Sequence, residues 1–356
     1  MNPHADEKDR RLIVEEAARW FVQLEQKDLQ QQVRFARWLN QSPAHVKIFL
    51  EVAAVEAMLE GLPPQNWGAN TVSGPVQAGG AVGGRKSQRE RKTSSLEYAL
   101  RRALENGEFV LHYQPKVELE TRRLTGVEAL IRWQCPERGL VEPAGFISTL
   151  EETGMIVDVG EWAFRQAAID RSRWLNMGLD APRVALNISR AELHHEDFVA
   201  NFTTVQNLPG TDVGLDIEVS ETVLVDDVES CIAKLTAVRA LGVRVVLDNF
   251  GTGYSSLAYL RRLPLDALKI DRTFIRGLPA DADAVVLVRS IISLAHCFKM
   301  ETVAVGIESE EQAKCLAPMG CEQIQGSIIS MPKAFDEITS YFKGDRADTD
   351  VAALMA

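Results

Sequence analysis

Carboxylates, amides and a lysine recur at the ends of short apolar runs through the second two-thirds of this chain. Glu128 lies in V-E-A-L-I, Asn187 in V-A-L-N-I, and Glu218 and Glu221 in L-D-I-E-V-S-E. Asp248 and Asn249 close V-V-L-D-N, Lys269 and Asp271 belong to L-K-I-D, Glu308 follows V-A-V-G-I, and Gln325 closes E-Q-I-Q. Polar groups inside apolar strands cost free energy unless satisfied, so one or two would read as structural hydrogen bonders. One from nearly every run, gathered at one end of a closed sheet, would form a site. The donors are carboxylate and amide oxygens, which favour a hard cation, Mg²⁺ or Mn²⁺, over zinc. Hard cations together with a lysine suit a phosphate ester. Asp248 taken alone admits two roles, a ligand at a strand end or the cap of the helix that begins near Tyr254.

These residues need strands to hold them. The apolar, β-branched run Val243–Leu247 has the pattern of a strand buried on both faces, and Gly251 and Gly253 then break the chain into a loop. Further strands are expected at Phe109–Gln114, Val127–Trp133, Val184–Ile188, Leu215–Val219, Ala267–Ile270, Thr302–Ile307 and Glu322–Gln325. Amphipathic stretches lie between most of them, among them Glu161–Leu175, Val228–Leu241 and Ala284–Phe298. Strands alternating with crossover helices over this length predict an α/β barrel of the TIM type. Only Glu118–Gly126 separates the first two strands, too short for a crossover helix, so that pair should be antiparallel.

At 356 residues the chain has room for a large domain and an appendage. A formal net charge of −11 argues against a DNA-binding or anionic-membrane-binding protein. No apolar run approaches the ~20 residues of a membrane span, and the charged start lacks a signal-peptide core. The five cysteines form no C-x-x-C pair, which fits reduced thiols, no zinc site and a cytoplasmic setting. Residues 10–62 read as a small all-α domain, with Ile13, Val14, Ala17, Ala18, Phe21 and Leu24 on one apolar face. Residues 63–95, rich in Gly, Ser, Pro and Gln, read as a flexible linker, 96–340 as the barrel, and 341–356 as a disordered tail.

In the head, Trp20, Trp38-Leu39 and Ser42-Pro43 resemble the N-terminal segment of FecR-type anti-sigma regulators. That resemblance implies a protein partner, of which a sigma factor is an example. The same tryptophans also fit simply as the core of a small bundle. The barrel segment is identified as a member of the EAL family of cyclic di-GMP phosphodiesterases. The motifs are Glu128-Ala129-Leu130 itself, L-H-Y-Q-P-K-V-E-L before it, N-I-S at 187–189, D-I-E-V-S-E at 216–221, D-N-F-G-T-G-Y-S-S-L at 248–257 and L-K-I-D at 268–271. The resemblance implies two-metal hydrolysis of one phosphodiester bond, giving linear pGpG, and often a homodimer. It implies a first metal on Glu128, Asn187, Glu218 and Asp248. Lys269 would position the attacking water or the phosphate, and Glu221 would brace the loop after Asp248. Arg132, Gln114 and Gln325 would contact the ligand.

The chain departs from that pattern where the family loop begins Asp-Asp and here reads Asp248-Asn249. It departs again where the family has A-E-G-V-E and here Val305 replaces the first glutamate, and, more mildly, at Ser327 in place of tyrosine. Both main losses fall on the second metal. The expectation is a degenerate domain that retains one metal site and acts as a cyclic di-GMP receptor or interaction module. The alternative is an active or partner-activated phosphodiesterase.

Overall fold

Alternation along each expected strand puts one set of side chains inward, and the sheet that results closes on itself. The computed structural model describes residues 88–206, 214–224, 227–250, 260 and 262–344, and positions 12–14, 16–20, 34–35, 37–39, 41–42, 45 and 48–49. The strands are β1 (Phe109–Glu118), β2 (Leu124–Cys135), β3 (Gly139–Val141), β4 (Arg183–Ile188), β5 (Leu215–Ser220), β6 (Arg244–Phe250), β7 (Ala267–Ile270), β8 (Glu301–Val305), β9 (Gln323–Gln325) and β10 (Lys333–Ala334). Among the described residues β1, β2 and β4 to β9 close into an eight-stranded barrel, with β3 and β10 added at its margins. The pairs from β2–β4 round to β8–β9 are parallel. The antiparallel pair β1–β2 is as expected, and β1 also runs antiparallel to β9 on its other side. The reversal is therefore a property of the strand β1, which lies against the grain of the barrel on both edges.

Among the described residues the outer layer includes α1 (Gln88–Glu105), α2 (Ile147–Thr153), α3 (Ile156–Asn176), α4 (Arg190–His194), α5 (Phe198–Gln206), α6 (Val228–Ala240), α7 (Arg272–Ile275), α8 (Ala282–Cys297), α9 (Glu310–Leu316) and α10 (Phe335–Gly344). Several begin with sequence-encoded caps. Ser189 and Ser309 form reciprocal capping boxes with Glu192 and Gln312, and Asp281 accepts from the amides of Asp283 and Ala284. Asp271 accepts from the Thr273 amide at 2.8 Å and caps α7, so its carboxylate is spent on a helix start.

The two outer limits of the barrel domain differ from the sequence reading. Residues 88–95, read as linker, are already helical as the start of α1. Lower apolarity in that stretch gave no core signal, yet the helix goes on to bury Leu100 and Ala103. At the other end α10 continues to Gly344 and buries Phe342, so residues 341–344 belong to the domain and not to the tail. The rest of the expected linker (63–87) and tail (345–356) lies outside the described residues.

Trp174 ties α10 to the barrel. It is fully buried, stacks on Phe335 with ring centroids 5.3 Å apart, and meets Tyr113 and Phe342 edge-on at 5.1 and 5.0 Å. Its indole N–H donates to the Thr339 hydroxyl at 2.7 Å. In the head the described residues include helical positions, with Ala17, Trp38, Leu39, Ile48 and Phe49 in one buried cluster. Trp38 also donates to Glu16 at 2.6 Å. All five cysteines are unpaired. Among the described residues no helix is long and apolar enough to cross a membrane.

Truncating Trp174 removes a large core side chain and its hydrogen bond to the Thr339 hydroxyl, which keeps only its own donation to the Phe335 carbonyl. Trp174→Ala is expected to lower unfolding stability by about 3–5 kcal/mol, read from urea denaturation of the barrel.

Candidate functional site

Strand register decides which polar residues meet. Gln114 of β1 pairs with Glu128 of β2, Asn187 of β4 with Glu218 of β5, Ser220 of β5 with Asp248 of β6, and Val305 of β8 with Gln325 of β9. Because side chains alternate, these positions gather around the C-terminal mouth formed by the parallel strands. Gly306, at φ 78°, then turns the chain away beyond β8.

Lys269 of β7 is the centre of this arrangement. Its buried ammonium donates to Glu128 Oε2 at 2.9 Å and to Glu218 Oε2 at 2.5 Å, and stands 3.6 Å from Asp248 Oδ1. Asn187 donates its amide to the other Glu128 oxygen at 2.7 Å, and Gln325 donates to Glu128 Oε2 at 2.7 Å. Burial opposes ionisation of Glu128, but Lys269 and these amide donors win and hold its carboxyl down to about 2. Glu218 goes the other way. Burial and the neighbouring Glu128 charge push it up to about 7, against the pull of Lys269 and Lys116. Lys269 is itself raised well above the ordinary lysine range, because its carboxylate neighbours outweigh burial.

Among the described residues no three His, Cys, Asp or Glu side chains stand as a ready-made metal cage. The three carboxylates are instead spread around Lys269. They already converge on one positive charge, and every donor among Glu128, Asn187, Glu218 and Asp248 that could reach a cation is an oxygen, so the set fits a hard divalent ion chemically. At the rim, Gln325 also donates to Gln114 Oε1 at 3.1 Å, and Gln114 donates to the Ser330 carbonyl at 3.1 Å. Arg132 is buried and pairs with Glu142 at 2.9 Å. Two buried polar atoms at this mouth have no partner, Arg132 Nε and Gln325 Oε1, one donor and one acceptor. Buried orphans of this kind are uncommon and mark places where a further group completes the hydrogen bonding.

Glu221 directly follows β5 and is buried, while the loop it was expected to brace, residues 251–259, lies outside the described residues. Asn249 is exposed at φ 55° and donates to Asp248 Oδ2 at 3.1 Å. Asn and Asp are both tolerated in that left-handed region, so the backbone does not demand asparagine. Glu308 is exposed beyond β8, and its amide is taken by Gln312 at 2.8 Å. Sequence reasoning passed over Lys116 and Glu142. Lys116 donates from below to Glu218 Oε1 at 3.3 Å, and the available signal was its place two residues after Gln114 on the same strand face. Nothing local in the sequence pairs Glu142 with Arg132, since that contact depends on the turn after β3.

Comparison with known proteins agrees with this geometry. Residues 97–332 match the EAL domain family, and residues 15–55 match a domain of unknown function, DUF4880. Over 246 residues the chain is 38% identical to the bifunctional diguanylate cyclase/cyclic di-GMP phosphodiesterase MucR of Pseudomonas aeruginosa, covering 68% of this chain and 36% of that protein. It is 37% identical over 238 residues to the cyclic di-GMP phosphodiesterase PdeR of Escherichia coli, covering 67% of this chain and 36% of that one. The chain thus spans only about a third of the length of these relatives. A solved structure of the P. aeruginosa MucR phosphodiesterase in complex with c-di-GMP superposes with a TM-score of 0.66 at 37% identity, covering 68% of this chain and 99% of that one. The DUF4880 match covers most of the head that resembles FecR regulators, without carrying that name.

The two shifted glutamates give a pH dependence with opposite signs. Glu128, depressed to about 2, contributes stability above the unfolded carboxyl range, and this is lost as pH falls from about 4.5 towards 2. Glu218, raised to about 7, is protonated in the fold while ionised when unfolded, so stability falls as pH rises from about 4.5 to 7. Glu192, buried under α3 and also raised to about 7 by burial, acts in the same window. Chemical denaturation in metal-free buffer between pH 4.5 and 7.5 should show this decline. Glu218→Gln should remove part of the slope and Glu192→Gln the rest, and an unchanged slope in both variants would contradict these assignments.

Proposed function

Because this chain belongs to the EAL-domain family, we propose that it is a cyclic di-GMP signalling protein whose barrel takes up the dinucleotide but hydrolyses it little. The observation that carries this reading is the division of the site. Glu128, Asn187, Glu218, Asp248 and Lys269 form one connected cluster, with Gln114, Gln325 and Arg132 beside it. The resemblance expects further carboxylates at positions 249 and 305, and here those positions hold an asparagine and a valine.

In this reading Glu128, Asn187, Glu218 and Asp248 would hold one Mg²⁺ or Mn²⁺. Such an ion supplies Lewis-acid polarisation of a phosphodiester and a more acidic water. Arg132, already buried and charged, meets a ligand phosphate. Gln114 and Gln325 meet the ligand's polar edges, and the free Gln325 Oε1 accepts one hydrogen bond from it. Lys269 keeps Glu128 ionised and holds the scissile phosphate or its attacking water. Glu221 supports the loop that follows Asp248. A second ion would have Asp248 as its one remaining strong ligand, since Asn249 offers an uncharged carbonyl and Val305 nothing. Losing a group that acts in the transition state commonly costs about two to four orders of magnitude in rate, and two are missing.

A weak or partner-activated phosphodiesterase is the second reading, favoured by the complete cluster around Lys269. It predicts metal-dependent release of pGpG that disappears in Glu128→Ala. The helical head, with its Trp38–Phe49 core, is proposed to contact a protein partner, a sigma factor being one that the FecR resemblance implies. A homodimer and a cytoplasmic setting belong to the same proposal.

Isothermal titration of the full chain with cyclic di-GMP in Mg²⁺ tests the receptor reading. Saturable binding is expected, weakened at least ~10-fold in Arg132→Ala, as fits loss of a buried charge-assisted contact. Absence of binding in Mg²⁺, in Mn²⁺ and without metal would remove it.

A further inference from the structure

The inward alternation does not stop below the site. Under Glu128, Asn187, Asp248 and Lys269 come Gly126, Ala185, Val246 and Ala267, whereas Asp216 lies under Glu218. The next inward-facing positions, at the N-terminal mouth, are charged again. Here a cavity of about 290 Å³ opens, lined by Lys116, Arg123, Asp216, Arg244, Glu301 and Gln323 among others. That volume lies at the lower end of the ~300–1,000 Å³ typical of small-molecule sites. We propose that this lower cavity binds a small phosphate-bearing anion, separately from the dinucleotide site above.

The carboxylates of the cavity are already neutralised. Asp216 pairs with Arg183 at 2.6 Å, and Glu301 pairs with Arg244 at 2.7 Å and accepts from Gln323 at 3.0 Å. The cavity lining carries three cations, Lys116, Arg123 and Arg244, against two carboxylates, Asp216 and Glu301, on a chain whose formal net charge is −11. Two of the cations are weakly engaged. Arg123 stands at the rim with its side chain 76% exposed, 3.9 Å from Glu118, whose same oxygen already accepts from Thr121 at 2.5 Å. Lys116 is buried in the cavity wall, and its 3.3 Å contact is to Glu218, an acid held closer by Lys269. A Cβ at Gly126 would come within 3.3 Å of Lys116 Cε, so the glycine gives the lysine stem room beside the cavity.

A buried ammonium and an exposed guanidinium facing one polar cavity suit a phosphate, the lysine as a point charge and the arginine as a two-pronged donor. Because Lys116 also touches Glu218, it joins the lower cavity to the upper site.

The test is calorimetric titration of the full chain in metal-free buffer with inorganic phosphate and, separately, with 5′-AMP. The two arms distinguish free phosphate from a phosphate ester. Saturable binding in at least one arm is expected, weakened at least ~10-fold by Arg123→Glu and by Lys116→Met and within about twofold of the parent in Arg132→Ala. Arg123 lies at the exposed rim, so its variant tests the cavity even if Lys116→Met unfolds beside Glu218. Absence of saturable binding in both arms overturns the proposal. So does binding that survives Arg123→Glu, or binding lost in Arg132→Ala, which would assign the phosphate to the upper mouth.

Discussion

A lysine ammonium buried in a barrel interior is the constraint on which the site depends. Lys269 is 2% exposed, and burying an unpaired charge there would be strongly unfavourable. Glu128, Glu218 and Asp248 supply the counter-charges from three other strands, and Asn187 and Gln325 supply the remaining hydrogen bonds to Glu128. Each member is tolerable because the others are present. The same interdependence fixes strand register, because a slip of one residue would turn these groups outward and leave the lysine alone.

Two acids compete for that lysine, and their environments drive them apart. Glu128, with three donors on its two oxygens from Lys269, Asn187 and Gln325, stays ionised; Glu218, more deeply buried beside it, is the proton-holding partner at low pH. Lys116 approaches Glu218 from the opposite mouth. The upper site and the lower cavity are therefore two polar regions of one charged interior, joined through Lys116 and Asp216 beside Gly126, Ala185, Val246 and Ala267. This is an unusual filling for a barrel whose interior is more often packed with branched apolar residues.

The eight barrel strands, though not the short marginal strands β3 and β10, the closed α/β barrel and the gathering of Glu128, Asn187, Glu218, Asp248, Lys269 and Gln325 at one mouth were legible in the sequence, because apolar runs broken by a polar residue at a fixed phase carry both kinds of information. Asp271 had the same local signature, yet it sits one step beyond β7 and caps a helix. The distinction rests on a single residue of strand length. Lys116 and the charged lower layer were less legible, since Arg183, Arg244 and Glu301 stand at strand starts, where charged residues ordinarily face solvent. Only closure of the barrel turns them inward. The pairing of β1 with β9 was hidden for a related reason, as it joins segments more than two hundred residues apart.

In the proposed reading, positions 249 and 305 separate a site that holds its ligand from one that cleaves it, and neither residue is forced by the fold. Asn249 occupies a backbone region open to aspartate, and Val305 ends an inward-facing strand opposite Gln325. The most direct measurement is hydrolysis of cyclic di-GMP by the purified chain in Mg²⁺ and Mn²⁺, beside the double variant Asn249→Asp with Val305→Glu. The account predicts a silent or very slow parent and a variant that releases pGpG at least ~100-fold faster, the lower end of the loss expected for missing transition-state groups. A parent that cleaves as fast as the variant would contradict it.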